Sequence, residues 1–178
     1  CCGENRVQEL TAKLAEDAYA GAPVHFIGHL QTNKVRQVVG KVDLIQSVDR
    51  LKLLDAIAAE AKKQGIVQDI LLEINVGEEE SKSGFALDEV ESILSKMGEF
   101  SAIRVLGFMA IPPICQVSTE NHKFFQKMYN LSVDIMRKKY DNVSVNILSM
   151  GMSGDYADAI ACGSTMIRVG TAIFGARD

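Results

Sequence analysis

The sequence predicts an α/β protein in which parallel strands alternate with helices. Six short segments rich in β-branched and aromatic residues alternate with segments whose apolar residues recur every three or four positions. Glycines follow most of the segments with this three- or four-residue spacing, which is typical of helix ends. Because consecutive parallel strands need a crossover connection, this alternation favours one parallel sheet with right-handed crossovers.

The predicted elements follow one another in a regular order. The chain opens on a predicted helix over 7–18, with no predicted strand before it. The predicted strands lie at 24–28, 42–45, 70–76, 103–111, 143–148 and 166–169. The predicted helices after them carry their apolar positions over 35–39, 53–61, 87–97, 124–135 and 156–160. No linker or composition shift interrupts this pattern, so we expect a single domain over 1–178.

Composition and charge exclude several classes of function. The 178 residues include 19 Lys and Arg against 23 Asp and Glu, without the clustered basic residues that bind phosphate backbones, so we expect no nucleic-acid partner. No apolar run reaches the roughly 20 residues of a membrane helix, and no signal peptide pattern opens the chain. We therefore expect a cytoplasmic protein without a membrane partner, whose 4 cysteines are reduced thiols.

Polar residues inside otherwise apolar strands bear on the choice between two architectures. His25, Glu73, Asn75, Ser144 and Asn146 suit side chains that point into a closed (β/α)8 barrel or its mouth. Such a barrel takes about 250 residues, whereas this chain has 178. The pattern alone leaves two alternatives, an open six-stranded sheet or a barrel without its opening elements.

The ends of the last two strands predict a phosphate site. Ser149 and Ser153 end one strand, and Gly170 and Thr171 follow the next. Barrels often bind phosphate with the loops after their last strands, where backbone N–H groups and a hydroxyl face the anion. We expect Ser153 or Ser149 to form such a cup with Gly170 and Thr171. The alternative is two ordinary turns, in which Ser153 caps the following helix.

Arg168 and two histidines are further candidates. Arg168 stands between Ile167 and Val169, where an unpaired charge would be costly, so we expect it to face an internal acid, a ligand or the barrel mouth. His25 and His29 share one strand face, but no third ligand stands at a suitable spacing. We predict no metal site and expect His25 to be a hydrogen-bonded core histidine.

Six ordered motifs covering nearly the whole chain resemble the landmarks of the pyridoxal 5′-phosphate (PLP) homeostasis protein family. They are GENRVQE at 3–9, HFIGHLQTNK at 25–34, EESKSG at 79–84, GFMAI at 107–111, LSMGMS at 148–153 and IRVGTAIFGARD at 167–178. That family is similar to the barrel domain of alanine racemase, of fold type III, and holds PLP through a lysine. The resemblance implies the same barrel and the same cofactor for this chain.

The resemblance also implies roles for particular residues. Ser153, Gly170 and Thr171, with Ser149 beside them, would hold the phosphate of PLP, and Arg168 would face the pyridine nitrogen. Around the ring or the pocket mouth it places Asn5, His29 and Met150.

The covalent lysine of the family lies in a Val-Ser-Lys-Thr-like run upstream of the Gly-Glu-Asn motif, and this sequence begins at Cys1. We therefore expect a (β/α)8 TIM-type barrel missing the first strand and most of the second, without that lysine. Lys34 and Lys82 come nearest to strand ends, and we expect neither to replace it.

The resemblance implies an intracellular role in PLP homeostasis, by binding and delivering the cofactor, with no turnover reaction. The expected partners are PLP and PLP-dependent apoenzymes, and the expected state is a monomer or weak dimer. One alternative is a PLP-dependent amino-acid racemase or decarboxylase, which would need a second acid–base group. Another is a phosphate-binding barrel unrelated to pyridoxal.

Overall fold

The protein folds around one seven-stranded parallel sheet whose strands follow one another in chain order. The structure, a computed structural model, describes residues 1–79, 82–113 and 121–175. Its strands are β1 Cys2–Glu4, β2 Val24–Phe26, β3 Leu44–Val48, β4 Gln68–Ile74, β5 Ile103–Ala110, β6 Val143–Met152 and β7 Met166–Arg168. Every neighbouring pair is parallel, as the alternating pattern predicts.

Helices connect these strands on the outside of the sheet. The α-helices are α1 Val7–Ala15, α2 Leu51–Gln64, α3 Val90–Leu94, α4 His122–Met136, α5 Tyr156–Ala161 and α6 Thr171–Phe174. Short 3-10 helices lie at Thr32–Gln37, Leu87–Glu89 and Met97–Glu99. Within the described ranges, none of these helices has the length and apolar character needed to cross a membrane.

The sheet is curled into a barrel, which decides between the two predicted architectures. Gln46 on β3 touches Ser149 on β6 through a hydrogen bond of 2.7 Å and Met166 on β7 through one of 3.2 Å. In a flat sheet these strands would be separated by three and four steps of about 4.8 Å each. Only a curled sheet brings their side chains together, with β1 and β7 as its edges in the described part of the chain.

Two apolar layers flank the sheet. The larger core lies between the strands and the helices and contains Leu54, Phe108, Phe125 and Met128 among its fully buried residues. A smaller cluster, built on Leu44, Leu71 and Met109, fills the inside of the barrel. The interior is therefore packed, as in other barrels of this size.

Three elements differ from the sequence predictions. Cys2–Glu4 pair with β2 as a strand, where we had predicted none before the first helix, because three residues are too few to show an alternating pattern. The helix expected around Val35 is a 3-10 helix of 6 residues, consistent with the poor helix propensity of β-branched residues. The segment over 87–97 is divided among α3 and two flanking 3-10 turns.

Cys1, Cys2 and Cys162 carry free thiols, as expected, whereas Cys115 lies outside the described residues.

Gly107 shows why one strand position tolerates no side chain. It has φ +145°, and a Cβ built on it would lie 1.9 Å from the Ile147 carbonyl oxygen of the neighbouring strand. Gly154, by contrast, has open space around the position of a Cβ. These two glycines make a matched pair for testing the close approach of β5 and β6.

We predict that Gly107→Ala lowers the free energy of unfolding by about 2–4 kcal/mol, because it combines a strained φ with a backbone clash. Gly154→Ala should change it by less than about 0.5 kcal/mol. Urea denaturation followed by circular dichroism measures both. Equal stabilities of the two variants would contradict the packing described for β5 and β6.

Candidate functional site

The residues of the predicted phosphate cup lie together at the carboxyl ends of β6 and β7. The backbone N–H groups of Gly170 and Ala172 each donate to the Ser153 hydroxyl oxygen at 3.3 Å. Thr171 begins α6 between these two donors and is exposed. The structure thus brings together Ser153, Gly170 and Thr171. Ser149 lies deeper in the barrel, where it contacts Arg168.

Ser153 does not cap the helix that follows it. The N-cap of α5 is Asp155, whose carboxylate accepts a hydrogen bond of 2.7 Å from the Met152 N–H. The Ser153 hydroxyl faces the turn after β7 instead, because Gly170 and Ala172 donate to it. The predicted alternative in which Ser153 caps the following helix is therefore wrong.

The cup has two backbone N–H donors and open space beside it. A Cβ built on Gly154 or Gly170 would meet no atom within 4 Å, so open space borders both sides of the cup. The two N–H groups at 3.3 Å make long hydrogen bonds to Ser153, which a charged oxygen acceptor would replace with stronger ones. Since α6 is a single turn, these N–H groups matter more than a helix dipole.

Arg168 points into the barrel and is held by neutral acceptors. Its Nη1 donates to the Ser149 hydroxyl at 2.7 Å and its Nη2 to the Ala110 carbonyl at 2.9 Å. Burial lowers the pKa of Arg168 to about 10, opposed by the charges of Glu73 and Asp155, so the group stays protonated at neutral pH. Among the described residues no carboxylate lies within 4.0 Å of it, so the internal ion pair is not formed there.

Glu73 is the second unusual ionisable group of the barrel. It is partly buried on β4, two residues from Leu71 of the interior cluster and so on the same face of the strand. Burial raises the pKa of Glu73 to about 7; the Asp49 carboxylate adds to the rise, whereas Arg168 and Arg50 oppose it. Near neutral pH the Glu73 carboxyl group is therefore populated in both its protonated and its ionised form.

The predicted mouth residues have different surroundings. His29 is exposed, and its Nδ1 lies 3.5 Å from a carboxylate oxygen of the buried Asp49, which also pairs with Arg50. Asn5 follows β1, and its backbone packs so closely on Gly28 that a Cβ there would lie 2.0 Å from the Asn5 carbonyl oxygen. Both residues follow the carboxyl ends of their strands.

Met150 requires a correction. Its side chain is fully buried in the outer core between strands and helices, so it does not face the barrel mouth. Side chains alternate along a strand, and the adjacent Ser149 points inward to Arg168. The same alternation, applied to the sequence, would have placed Met150 outside.

His25 behaves as expected, and the structure shows the surroundings of two lysines. His25 is buried inside the barrel and hydrogen-bonded to Gln46 at 3.0 Å, which confirms the core histidine. Lys82 pairs with Glu79 at 2.7 Å and reaches the Pro112 carbonyl at 3.4 Å, while Lys34 lies in the 3-10 helix after β2. Gln46 and Asp49 were missed because the predicted strand ended at Ile45. Extending the alternation from Leu44 would have shown Gln46, but not Asp49, which follows an irregularity in the register of β3.

Comparison with known proteins decides the family. A family model described as the N-terminal domain of alanine racemase matches residues 1–178. A pyridoxal phosphate homeostasis protein of Aquifex aeolicus is 43% identical over 175 residues, covering 98% of this chain and 76% of the relative. The protein of that name in Escherichia coli K12 is 37% identical, covering 99% and 75%. The chain belongs to the pyridoxal phosphate homeostasis protein family.

Solved structures agree with the fold. PipY of Synechococcus elongatus with PLP bound has a TM-score of 0.87 at 31% identity, covering 97% of this chain and 80% of PipY. Alanine racemase from Corynebacterium glutamicum has a TM-score of 0.72 at 14% identity, covering 98% of this chain and 47% of the racemase. The second likeness shows a shared barrel and nothing about activity. Within the family's motifs, Glu80, Ser81 and 176–178 lie outside the described residues.

We predict that Glu73 makes the stability of the protein pH-dependent between about pH 4.5 and pH 7. Its pKa rises from 4.5 to about 7 on folding, so the folded state holds a proton that the unfolded chain releases. The free energy of unfolding therefore falls as the pH rises through this window. Urea denaturation at several pH values measures the slope.

Glu73→Gln should remove this part of the slope, because the amide does not titrate. Glu99→Gln removes an exposed carboxylate and should keep the slope of the unmodified protein. Identical slopes for all three proteins would show that Glu73 does not hold the proton.

Proposed function

We propose that the chain binds PLP, with its phosphate in the cup of Ser153, Gly170 and Thr171 and its ring beside Arg168. The observation that carries this proposal is the position of Arg168 and the cup on one short segment, β7 and the turn after it. A ligand with a phosphate and a hydrogen-bond acceptor suits this segment. The family relatives' name and the PLP-bound PipY structure support the identity of that ligand.

The donor set favours storage and transfer of the cofactor over turnover. When bound, PLP supplies an electron-withdrawing pyridine ring, whose strength depends on protonation of the ring nitrogen. Arg168 has N–H donors and no acceptor, so it donates to that nitrogen and keeps it unprotonated. Weak electron withdrawal suits a protein that holds PLP for other enzymes, which is the role in PLP homeostasis that we propose.

Two finer parts of this proposal concern partners and location. PLP-dependent apoenzymes are the proposed recipients, because they need the cofactor that a homeostasis protein would hold. The cytoplasmic location and the monomer or weak dimer expected from the sequence stay predictions.

We predict that pyridoxine 5′-phosphate, which has no aldehyde, binds this chain. Ser153→Ala should weaken its binding and that of inorganic phosphate about 10- to 100-fold, because one hydrogen bond to a charged group is lost. Arg168→Ala should weaken only pyridoxine 5′-phosphate. Isothermal titration calorimetry measures both ligands.

Ser144→Ala is the matched control, since Ser144 lies at the opposite end of β6 and bonds Asn146 there. It should leave both affinities unchanged. An Arg168→Ala protein with full affinity for pyridoxine 5′-phosphate would favour a phosphate-binding barrel unrelated to pyridoxal.

The racemase or decarboxylase alternative predicts turnover. We expect none. When the protein and PLP are incubated with D- and L-amino acids, racemisation and release of carbon dioxide should not exceed those caused by free PLP. Chiral chromatography and carbon dioxide release measure the two reactions. Turnover above that of free PLP, abolished by Arg168→Ala, would overturn the homeostasis role.

A further inference from the structure

A chain of hydrogen bonds crosses the inside of the barrel from Arg168 to His25. Arg168 Nη1 donates to Ser149 Oγ at 2.7 Å, and Ser149 Oγ lies 2.7 Å from Gln46 Oε1. The Gln46 Nε2 group lies 3.0 Å from His25 Nδ1 and 3.2 Å from Met166 Sδ. Ser149, Gln46 and His25 are all buried, so these partners are not exchanged for water.

The guanidinium of Arg168, at one end of this series, sets the direction of every hydrogen bond. A guanidinium only donates, so the Ser149 oxygen accepts from Arg168 and its single hydrogen is free to donate to Gln46 Oε1. The Gln46 amide then turns its NH2 group to His25, whose Nδ1 must accept. This requires a neutral His25 protonated at Nε2.

The surroundings of His25 favour that neutral form. Burial lowers the pKa of His25 below its ordinary value, and the Asp43 carboxylate opposes the change only in part. One pleat below Gln46, Leu44 belongs to the apolar cluster inside the barrel. The chain therefore ends in a group that accepts a hydrogen bond and carries no charge.

We propose that Gln46 and His25 are positioning residues that hold Arg168 against the pyridine nitrogen of the bound cofactor, acting through Ser149. The inference rests on the proposed function, because its target is the ring. Without Gln46, the Ser149 hydrogen loses its acceptor in a buried site and the hydroxyl turns to another partner. Arg168 then keeps one well-placed acceptor, the Ala110 carbonyl, and is drawn towards the negative charge of Glu73.

Gln46→Met tests the role of the chain towards the ligand. The variant keeps the side-chain length and removes both hydrogen-bonding groups. We expect about tenfold weaker binding of pyridoxine 5′-phosphate, the cost of a disordered hydrogen bond to a charged group, with unchanged binding of inorganic phosphate. We also expect the ring nitrogen of the bound ligand to protonate at higher pH, seen by ultraviolet absorbance titration.

Leu44→Met is the matched control, because it changes the same face of β3 without removing any of the hydrogen bonds between Arg168 and His25. It should leave both affinities and the ring titration unchanged. A Gln46→Met protein that matches this control in all three measurements would overturn the positioning role, since a purely structural residue would not move the ring titration.

A measurement without ligand keeps the two proposals distinguishable. In nitrogen-15 NMR spectra of the unmodified protein, His25 Nδ1 should show the shift of an unprotonated nitrogen, and the Arg168 Nη groups should give separate signals. In Gln46→Met these signals should merge as rotation becomes faster. A His25 protonated at Nδ1 would contradict the proposed series of hydrogen bonds from Arg168 to His25. Failure of the unmodified protein to bind pyridoxine 5′-phosphate would reject the proposed function and with it the positioning role, whatever the NMR result.

Discussion

The guanidinium of Arg168 is the group on which the barrel interior depends. A charge that leaves water loses its hydration, and the loss is tolerable only when polar partners replace it. Arg168 finds these partners on two other strands, Ala110 at the end of β5 and Ser149 on β6. One side chain thereby ties together the last three strands at their carboxyl ends. Because Ser149 accepts from Arg168 and lies within hydrogen-bond distance of Gln46, the guanidinium also favours a hydrogen-bonding side chain on the inner face of β3.

The two-residue period of the strands separates an apolar end of the barrel from a polar one. Leu44 and Gln46 lie on one face of β3, and Leu71 and Glu73 lie on one face of β4. The leucines fill the interior below, while the polar side chains look towards the carboxyl ends. Packing below keeps water away from one side of the charged groups, which strengthens their interactions and raises the pKa of Glu73.

The cup of Ser153, Gly170 and Thr171 depends on the same architecture for a different reason. In a parallel sheet the loops after neighbouring strands emerge at one rim, so Ser153 and Gly170 meet although 17 positions separate them. This meeting was predictable, because it follows from the order of strands. Strand alternation also predicts that Ser149 points inward and Met150 outward. The family resemblance placed both residues at the pocket, so this opposite orientation was not predicted.

The sequence by itself determined the order of strands and helices, the end of α2 at Gly65 with its left-handed φ of +69°, and the cup, because periodicity, glycine conformation and strand ends are local properties. Only the tertiary structure decided the curling of the sheet, the strand at Cys2–Glu4 and the path from Arg168 to His25. Those features join residues far apart in the chain, and no local pattern records which distant partner satisfies a buried polar group.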